Sequence, residues 1–328
     1  MIASMPAKRL LSLLWLPLLA QNPGVPTPEA RAQLEAQTAT LRAVVQQTPR
    51  LKLERTELRP VPTRSDWEIG MVSWIAADRD GLIYLLQRGD KADPVIVINR
   101  AGKVLRSWGK GMYTMPHAIR VDPQGNVWTT DAASSMVYKF SADGKKLMQI
   151  EVGGQPTPCR NNFCSTTDIA FAKNGRLFIS DGYSNARILE YTADGTKVRE
   201  WGSPGSGPGQ FRLPHSIQID EDDVIYVADR ENGRIERFDA RGTFLGEWSQ
   251  YGKTFGLKLE NDAVWLATQP RDLPNLSPGW LLKVDRRSGA LQGYVDSEGN
   301  HGMDVLLTGE LLQAPGPRQI PQLYRKPN

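Results

Sequence analysis

From about residue 70 to the end of the chain, apolar and polar positions recur in one arrangement. An apolar strand leads into a turn rich in Gly, Asp or Asn, and the turn leads into a second strand of β-branched and aromatic residues. The turn marks are Asp80-Gly81 before LIYLL, Gln124-Gly125 before NVWTT, Asn174-Gly175 before RLFIS, Asp222-Asp223 before VIYVA, Asn261-Asp262 before AVWLA and Thr308-Gly309 before ELLQA. Successive marks lie 44, 50, 48, 39 and 47 residues apart. Each unit continues with a third strand such as MVYKF, RILEY, RIERF or LLKVD, and a further turn such as Ala142-Asp143-Gly144 opens a fourth. Four short strands per unit at a period of roughly 45 residues is the pattern of a propeller blade. Six marks predict an all-β, six-bladed β-propeller over residues 67–328. The 3.6-residue apolar spacing of a helical solenoid is absent from these segments.

Residues 21–66 break the pattern and predict a short N-terminal helical extension. Thr27-Pro28-Glu29 reads as a helix start, with Thr as N-cap and Pro in the first turn. Ala30, Leu34, Leu41, Val44 and Val45 form a weak apolar stripe as far as Gln47, and an extended segment follows from Leu51 to Val61. The sixth unit is short, with room for about one strand (QIPQLYRK) after Leu312. An unpaired strand edge is a liability, so ring closure needs a partner for that blade, and Leu51–Val61 is the candidate. Residues 1–20 read as a signal peptide: Lys8 and Arg9 are basic, Leu10 to Ala20 is apolar but too short to span a bilayer, and Ala20 suits cleavage. The alternative is an uncleaved anchor. No later stretch is apolar for long enough to cross a membrane.

Composition adds an exclusion and a compartment. Apolar residues make up 40% and charged residues 23%, the balance of a globular protein. The net charge is +4 with no clustered Lys/Arg stripe, which removes the electrostatic basis for nucleic-acid binding. The two cysteines, Cys159 and Cys164, lie five apart, and with a signal peptide they read as a small local disulfide in an exported protein, periplasmic or extracellular. No third Cys exists to complete a thiolate metal site. A monomer is the expectation.

The candidate chemistry lies in the histidines. The chain has three, His117, His215 and His301, and each stands eight residues before its turn mark. They occupy the start of the innermost strand in blades 2, 4 and 6, and the same count assigns Ser73, Thr167 and Thr254 to blades 1, 3 and 5. Alternate blades of a six-bladed ring are related by one third of a turn, so three imidazoles at equal height converge on the axis. That is a His₃ metal site with open positions, the arrangement of catalytic zinc. A lone His is usually a satisfied core or surface residue, but here every His in the chain shares one register.

The segments MPHAIRVDPQGNVWTTD, FCSTTDIAFAKNGRLFISDGYSNARI and PGQFRLPHSIQIDEDDVIYVADRENGRI resemble the peptidyl-α-hydroxyglycine α-amidating lyase family of NHL-repeat propellers, from about residue 70 to 245. The resemblance implies cleavage of the C–N bond of a peptidyl-α-hydroxyglycine into an amide and glyoxylate, with a carboxylate-bearing peptide or small molecule as substrate. It implies that His117, His215 and His301 hold zinc, that Tyr183 of SDGY is the catalytic base, and that Arg88 and Arg230 are active-site cations that, with the metal, lower the phenol's pKa. A planar guanidinium suits a carboxylate or a developing oxyanion. It also implies a structural calcium bound by the carbonyls of Ile75 and Ile119 and by an Asp directly after the third His. Here Gly302 stands at that place and Asp304 lies two positions further on. The family disulfide joins the Cys matching Cys164 to the residue matching Ser184, which leaves Cys159 as the substitute partner.

Two other functions fit a propeller. A lactonase-type hydrolase would ligate calcium through Asp, Asn and Glu, and the His₃ set argues against it. A non-catalytic propeller that binds a protein or glycan would keep the blades but has no need of three axial His and Tyr183.

Overall fold

The computed structural model describes residues 28–154, 163–317 and 320–327. The chain forms a six-bladed propeller of four-stranded antiparallel sheets. The innermost strands are Val72–Ala77, Pro116–Val121, Thr166–Phe171, Pro214–Ile219, Lys253–Glu260 and Gly302–Val305. The sixth sheet holds Gly302–Val305, Leu311–Ala314 and Gln322–Arg325, and its outer edge is Glu54–Glu57, which pairs antiparallel with Gln322–Arg325. The N-terminal segment therefore completes the last blade and joins the two ends of the repeat.

Burial follows position within the blade. Second strands such as Val127–Asp131 and Leu177–Asp181 are buried throughout, because neighbouring blades cover both faces. Outer strands such as Val104–Trp108 alternate between half-buried and exposed. The apolar core is divided among the seams between blades. Trp74, Tyr84 and Val97 of blade 1 meet Ile119, Val127 and Phe140 of blade 2, and Leu306, Leu312 and Leu323 of blade 6 meet Ile75 and Ile83 of blade 1. This division leaves the axis to polar side chains and the Trp74 ring.

The helix Pro28–Gln47 lies outside the ring. Leu41 and Val45 pack on Tyr226, Trp248, Tyr251 and Leu257 at the seam of blades 4 and 5. Thr27 and the first 20 residues lie outside the described residues. So does Cys159; its expected partner Cys164 is buried.

Blade 5 differs from the others. Gly81, Gly125, Gly175 and Gly309 adopt positive φ at the turn after the inner strand, and Asp223 does the same at φ 59°. In blade 5 the positive φ falls on Asn261, in a two-residue turn between the paired residues Glu260 and Ala263. That turn is shorter, so counting back from it lands one residue early. A local bulge marks the register: Ser73, Thr167 and His215 are each skipped in the pairing of their blades, and in blade 5 the skipped residue is Phe255. Phe255, not Thr254, is the blade 5 counterpart of the histidines.

One buried carboxyl makes stability depend on pH. Glu236, in the blade 4 strand Arg234–Phe238, accepts from the Gly209 amide at 3.1 Å, while its Oε2 has no hydrogen-bond partner among the described residues. Burial raises its pKa from 4.5 to about 7 against the pull of Arg234. Folding therefore favours the protonated form; that contribution is full below the ordinary carboxylate range and is lost as pH rises toward 7. Glu236→Gln should melt higher than the parent at about pH 8, with the gap closing toward about pH 5. Melting curves that stay offset equally at both ends would remove Glu236 as the cause.

Candidate metal centre

Each axial histidine is aimed by the backbone of the next blade. His117 Nδ1 lies 2.6 Å from the carbonyl of Thr167, His215 Nδ1 2.6 Å from that of Phe255, and His301 Nδ1 2.6 Å from that of Ser73. A carbonyl only accepts, so Nδ1 carries the proton and Nε2 keeps its lone pair. The segments before the first two are pinned from below. Asp131 accepts from the Thr114 and Met115 amides, and Asp229 accepts from the Arg212 amide. The three rings stand 4.9, 5.0 and 5.1 Å apart by centroid, and one ring nitrogen from each lies within 4.8 Å of the others. All three are buried, and burial holds them in the neutral, metal-ligating form. His117 and His215 are pushed well below the ordinary imidazole range, with His301 adding to the effect at His117 and Arg230 at His215. Burial, then Arg88, takes His301 to about 3. The donor set fits a borderline-soft divalent ion.

Tyr183 leans over this triad from the turn after the second strand of blade 3. Its hydroxyl lies 2.7 Å from His117 Nε2 and 3.2 Å from His215 Nε2. The inward hydroxyl is raised above the ordinary phenol value by burial, and Arg230 and Arg88 counter that only in part. The two arginines alone therefore do not lower the phenol's pKa. Arg88 donates from Nε to the Pro116 carbonyl at 2.9 Å and from Nη2 to Ser73 Oγ at 3.0 Å, and it stacks on Phe163, which also packs on Tyr183. Arg230 lies 4.8 Å from the centre of the Phe255 ring and is paired with Glu231 at 2.8 Å. The structure thus brings His117, His215, His301, Tyr183, Arg88 and Arg230 to one mouth of the channel.

The resemblance assigns a calcium to the backbone carbonyls of Ile75 and Ile119, whose side chains belong to the apolar seams of blades 6–1 and 1–2. Asp304 faces the opposite mouth, bonded to Lys258 Nζ at 2.6 Å and to the Ala77 amide at 2.9 Å. A Cβ on Gly302 would lie 2.6 Å from both Cα and Cγ of Trp74.

Trp74, Arg120 and Asp168 also line the channel, and their place there does not follow from the repeat pattern. The Trp74 ring lies 5.9, 6.1 and 5.7 Å from the rings of His117, His215 and His301, and closes the channel beneath them. On its other side lies the guanidinium of Arg120, paired with Asp168. The available signal was an ionised residue inside an inner strand that is otherwise buried.

A family model described as a 6-bladed beta-propeller matches residues 156–250. A Caenorhabditis elegans protein, a probable peptidyl-alpha-hydroxyglycine alpha-amidating lyase, is 33% identical over 199 residues, which cover 53% of this chain and 57% of that protein. The Xenopus laevis peptidyl-glycine alpha-amidating monooxygenase A is 34% identical over 218 residues, which cover 55% of this chain and 23% of that protein. Human NHL repeat-containing protein 3 is 30% identical over 232 residues, covering 66% of this chain and 67% of that protein. The chain belongs to the NHL-repeat propeller family that includes the peptidyl-α-hydroxyglycine α-amidating lyases. A solved streptogramin B lyase structure superposes with a TM-score of 0.56 at 16% identity, over 83% of this chain and 97% of that one, a likeness of fold.

Within this NHL-repeat propeller the support of the triad is testable at Gly302. Gly302→Ala drives a methyl group against the Trp74 backbone, which cannot retreat as a flexible side chain would. Overpacking of this kind costs about 1–3 kcal/mol, so the variant should melt lower and bind zinc more weakly in a chelator competition. Unchanged melting and zinc affinity would show that Trp74 does not brace the triad.

Proposed function

We propose that this protein is a zinc-dependent lyase that cleaves the C–N bond of a peptidyl-α-hydroxyglycine-like carbinolamide to an amide and glyoxylate. The observation that carries this reading is the convergence of three neutral imidazoles with Tyr183 Oη, 2.7 Å from His117 Nε2 and flanked by two arginines. The relatives named as amidating lyases support the same reaction class.

His117, His215 and His301 would hold the metal through Nε2. When bound, zinc supplies Lewis-acid stabilisation of an alkoxide and extra positive charge beside the Tyr183 phenol. Tyr183, as the phenolate, takes the proton of the substrate's carbinol hydroxyl and becomes the phenol. The freed electron pair forms the C=O of glyoxylate as the C–N bond breaks, and the departing amide nitrogen takes up a proton, for which the Tyr183 hydroxyl is the nearest donor. Arg88 and Arg230 offer guanidinium groups to the substrate carboxylate. Burial makes the histidines poor proton acceptors, and with Nδ1–H given to a carbonyl and Nε2 committed to the metal none of them would compete as the base. The basic and apolar first 20 residues and the Cys159–Cys164 pair support export to an oxidising compartment.

The assay is glyoxylate release from a model α-hydroxyglycine compound by zinc-loaded protein. His215→Ala should lose glyoxylate release. Its zinc affinity should fall by more than the ~10–100-fold that loss of an outer-shell partner costs, while the circular dichroism stays that of the folded propeller. Full zinc occupancy in that variant would refute the metal assignment.

Tyr183→Phe keeps the ring and removes the hydroxyl. Turnover should drop by ~10²–10⁴-fold, the usual worth of a general base, with zinc content and melting temperature held. Near-normal turnover would take Tyr183 out of the mechanism. Absence of glyoxylate release from the zinc-loaded parent would overturn the lyase reading itself.

A further inference from the structure

We infer that Arg120 is a built-in axial cation that fills the channel beneath the histidines where a structural calcium would otherwise sit, so that this chain carries no second metal. The inference stands apart from the zinc reading, because it concerns a different level of the channel.

Arg120 is three residues beyond His117 on the same strand and is 3% exposed. Its Nε and Nη2 bond the two oxygens of Asp168 at 2.9 and 2.6 Å. Nη2 also reaches Ser216 Oγ and the Leu257 carbonyl, each at 3.3 Å, and Nη1 reaches the Met303 carbonyl at 3.4 Å. Its face lies 5.0 Å from the Trp74 ring centre. These contacts take in one residue from the innermost strand of every blade: Trp74, Arg120 itself, Asp168, Ser216, Leu257 and Met303.

A carboxylate, a hydroxyl and carbonyls drawn from separate strands form an oxygen shell of the kind that suits a hard cation. Here that shell surrounds a guanidinium, which stays charged at any pH the protein meets. Asp168 is fully committed as well, since it accepts from Ser216 Oγ at 2.8 Å and from the Ile217 and Ile169 amides at 3.1 and 2.9 Å. A dication placed there would meet a fixed positive charge at contact distance. The two positions from which the family's carboxylate could come do not supply one to the axis: Trp74 fills the space of any side chain at Gly302, and Asp304 is bound to Lys258 at the far mouth, on a cavity of about 380 Å³. The residues present therefore do not fit a second metal.

The test uses the full-length, zinc-loaded protein freed of calcium. Equilibrium dialysis against excess calcium chloride, with magnesium as control, should leave no stoichiometric calcium on the protein, and calcium should not move the melting temperature. Stoichiometric uptake, or a saturable rise in melting temperature specific to calcium, would overturn the inference. Arg120→Met strands Asp168 as a buried, uncompensated charge, and the melting temperature should fall by about 10 °C. Adding Asp168→Asn should recover part of that loss. An unchanged melting temperature in Arg120→Met would also overturn the inference, and if that variant cannot be produced folded, the calcium measurement on the parent decides alone.

Discussion

The channel mouth depends on one hydrogen bond made three times: an imidazole Nδ1–H given to the carbonyl of the equivalent residue in the next blade. Each such bond is worth only about 0.5–1.5 kcal/mol net. Its larger effect is directional. It fixes the tautomer, turns Nε2 toward the axis, and ties the geometry of the centre to the spacing of neighbouring blades. The bond from His301 to Ser73 crosses the seam at which the ring is closed. The strand Glu54–Glu57, far from the chemistry, therefore helps to set the position of the third imidazole by completing blade 6.

The fold can maintain a polar axis because its apolar core lies elsewhere, in the seams between blades. Removing Arg120 and Asp168 from water is costly, and a buried ion pair is weak evidence for stability. Its visible effect is registry, since it binds residues from five of the six inner strands into one network. Trp74 separates this network from the histidines, with an uncharged ring against each of the three imidazoles. The channel thus has a level of three histidines, an aromatic floor and a buried ionic level below it.

The repeat was legible because a tight turn with positive φ demands Gly, Asn or Asp at one place in each blade. Those marks set the register that puts His117, His215 and His301 at one height. The same counting failed in blade 5, where a two-residue turn shifts the frame and Phe255, not Thr254, takes the equivalent place. Trp74, Arg120 and Asp168 were missed for a different reason. In strands buried on both faces the sequence does not alternate, so nothing local separates a residue that faces the axis from one that faces a seam. The expectation of a lowered phenol pKa rested on the metal together with Arg88 and Arg230; the two arginines by themselves do not offset the burial of the Tyr183 hydroxyl, which the sequence could not show.

The central claim is that three imidazoles from alternate blades bind one catalytic metal through Nε2. Zinc-edge X-ray absorption on the loaded protein measures this directly. The account predicts a first shell of nitrogen and oxygen with the outer-shell scattering of three imidazole rings, and a change in that shell when substrate is added. A shell without imidazole scattering, or with sulfur in it, would contradict the account.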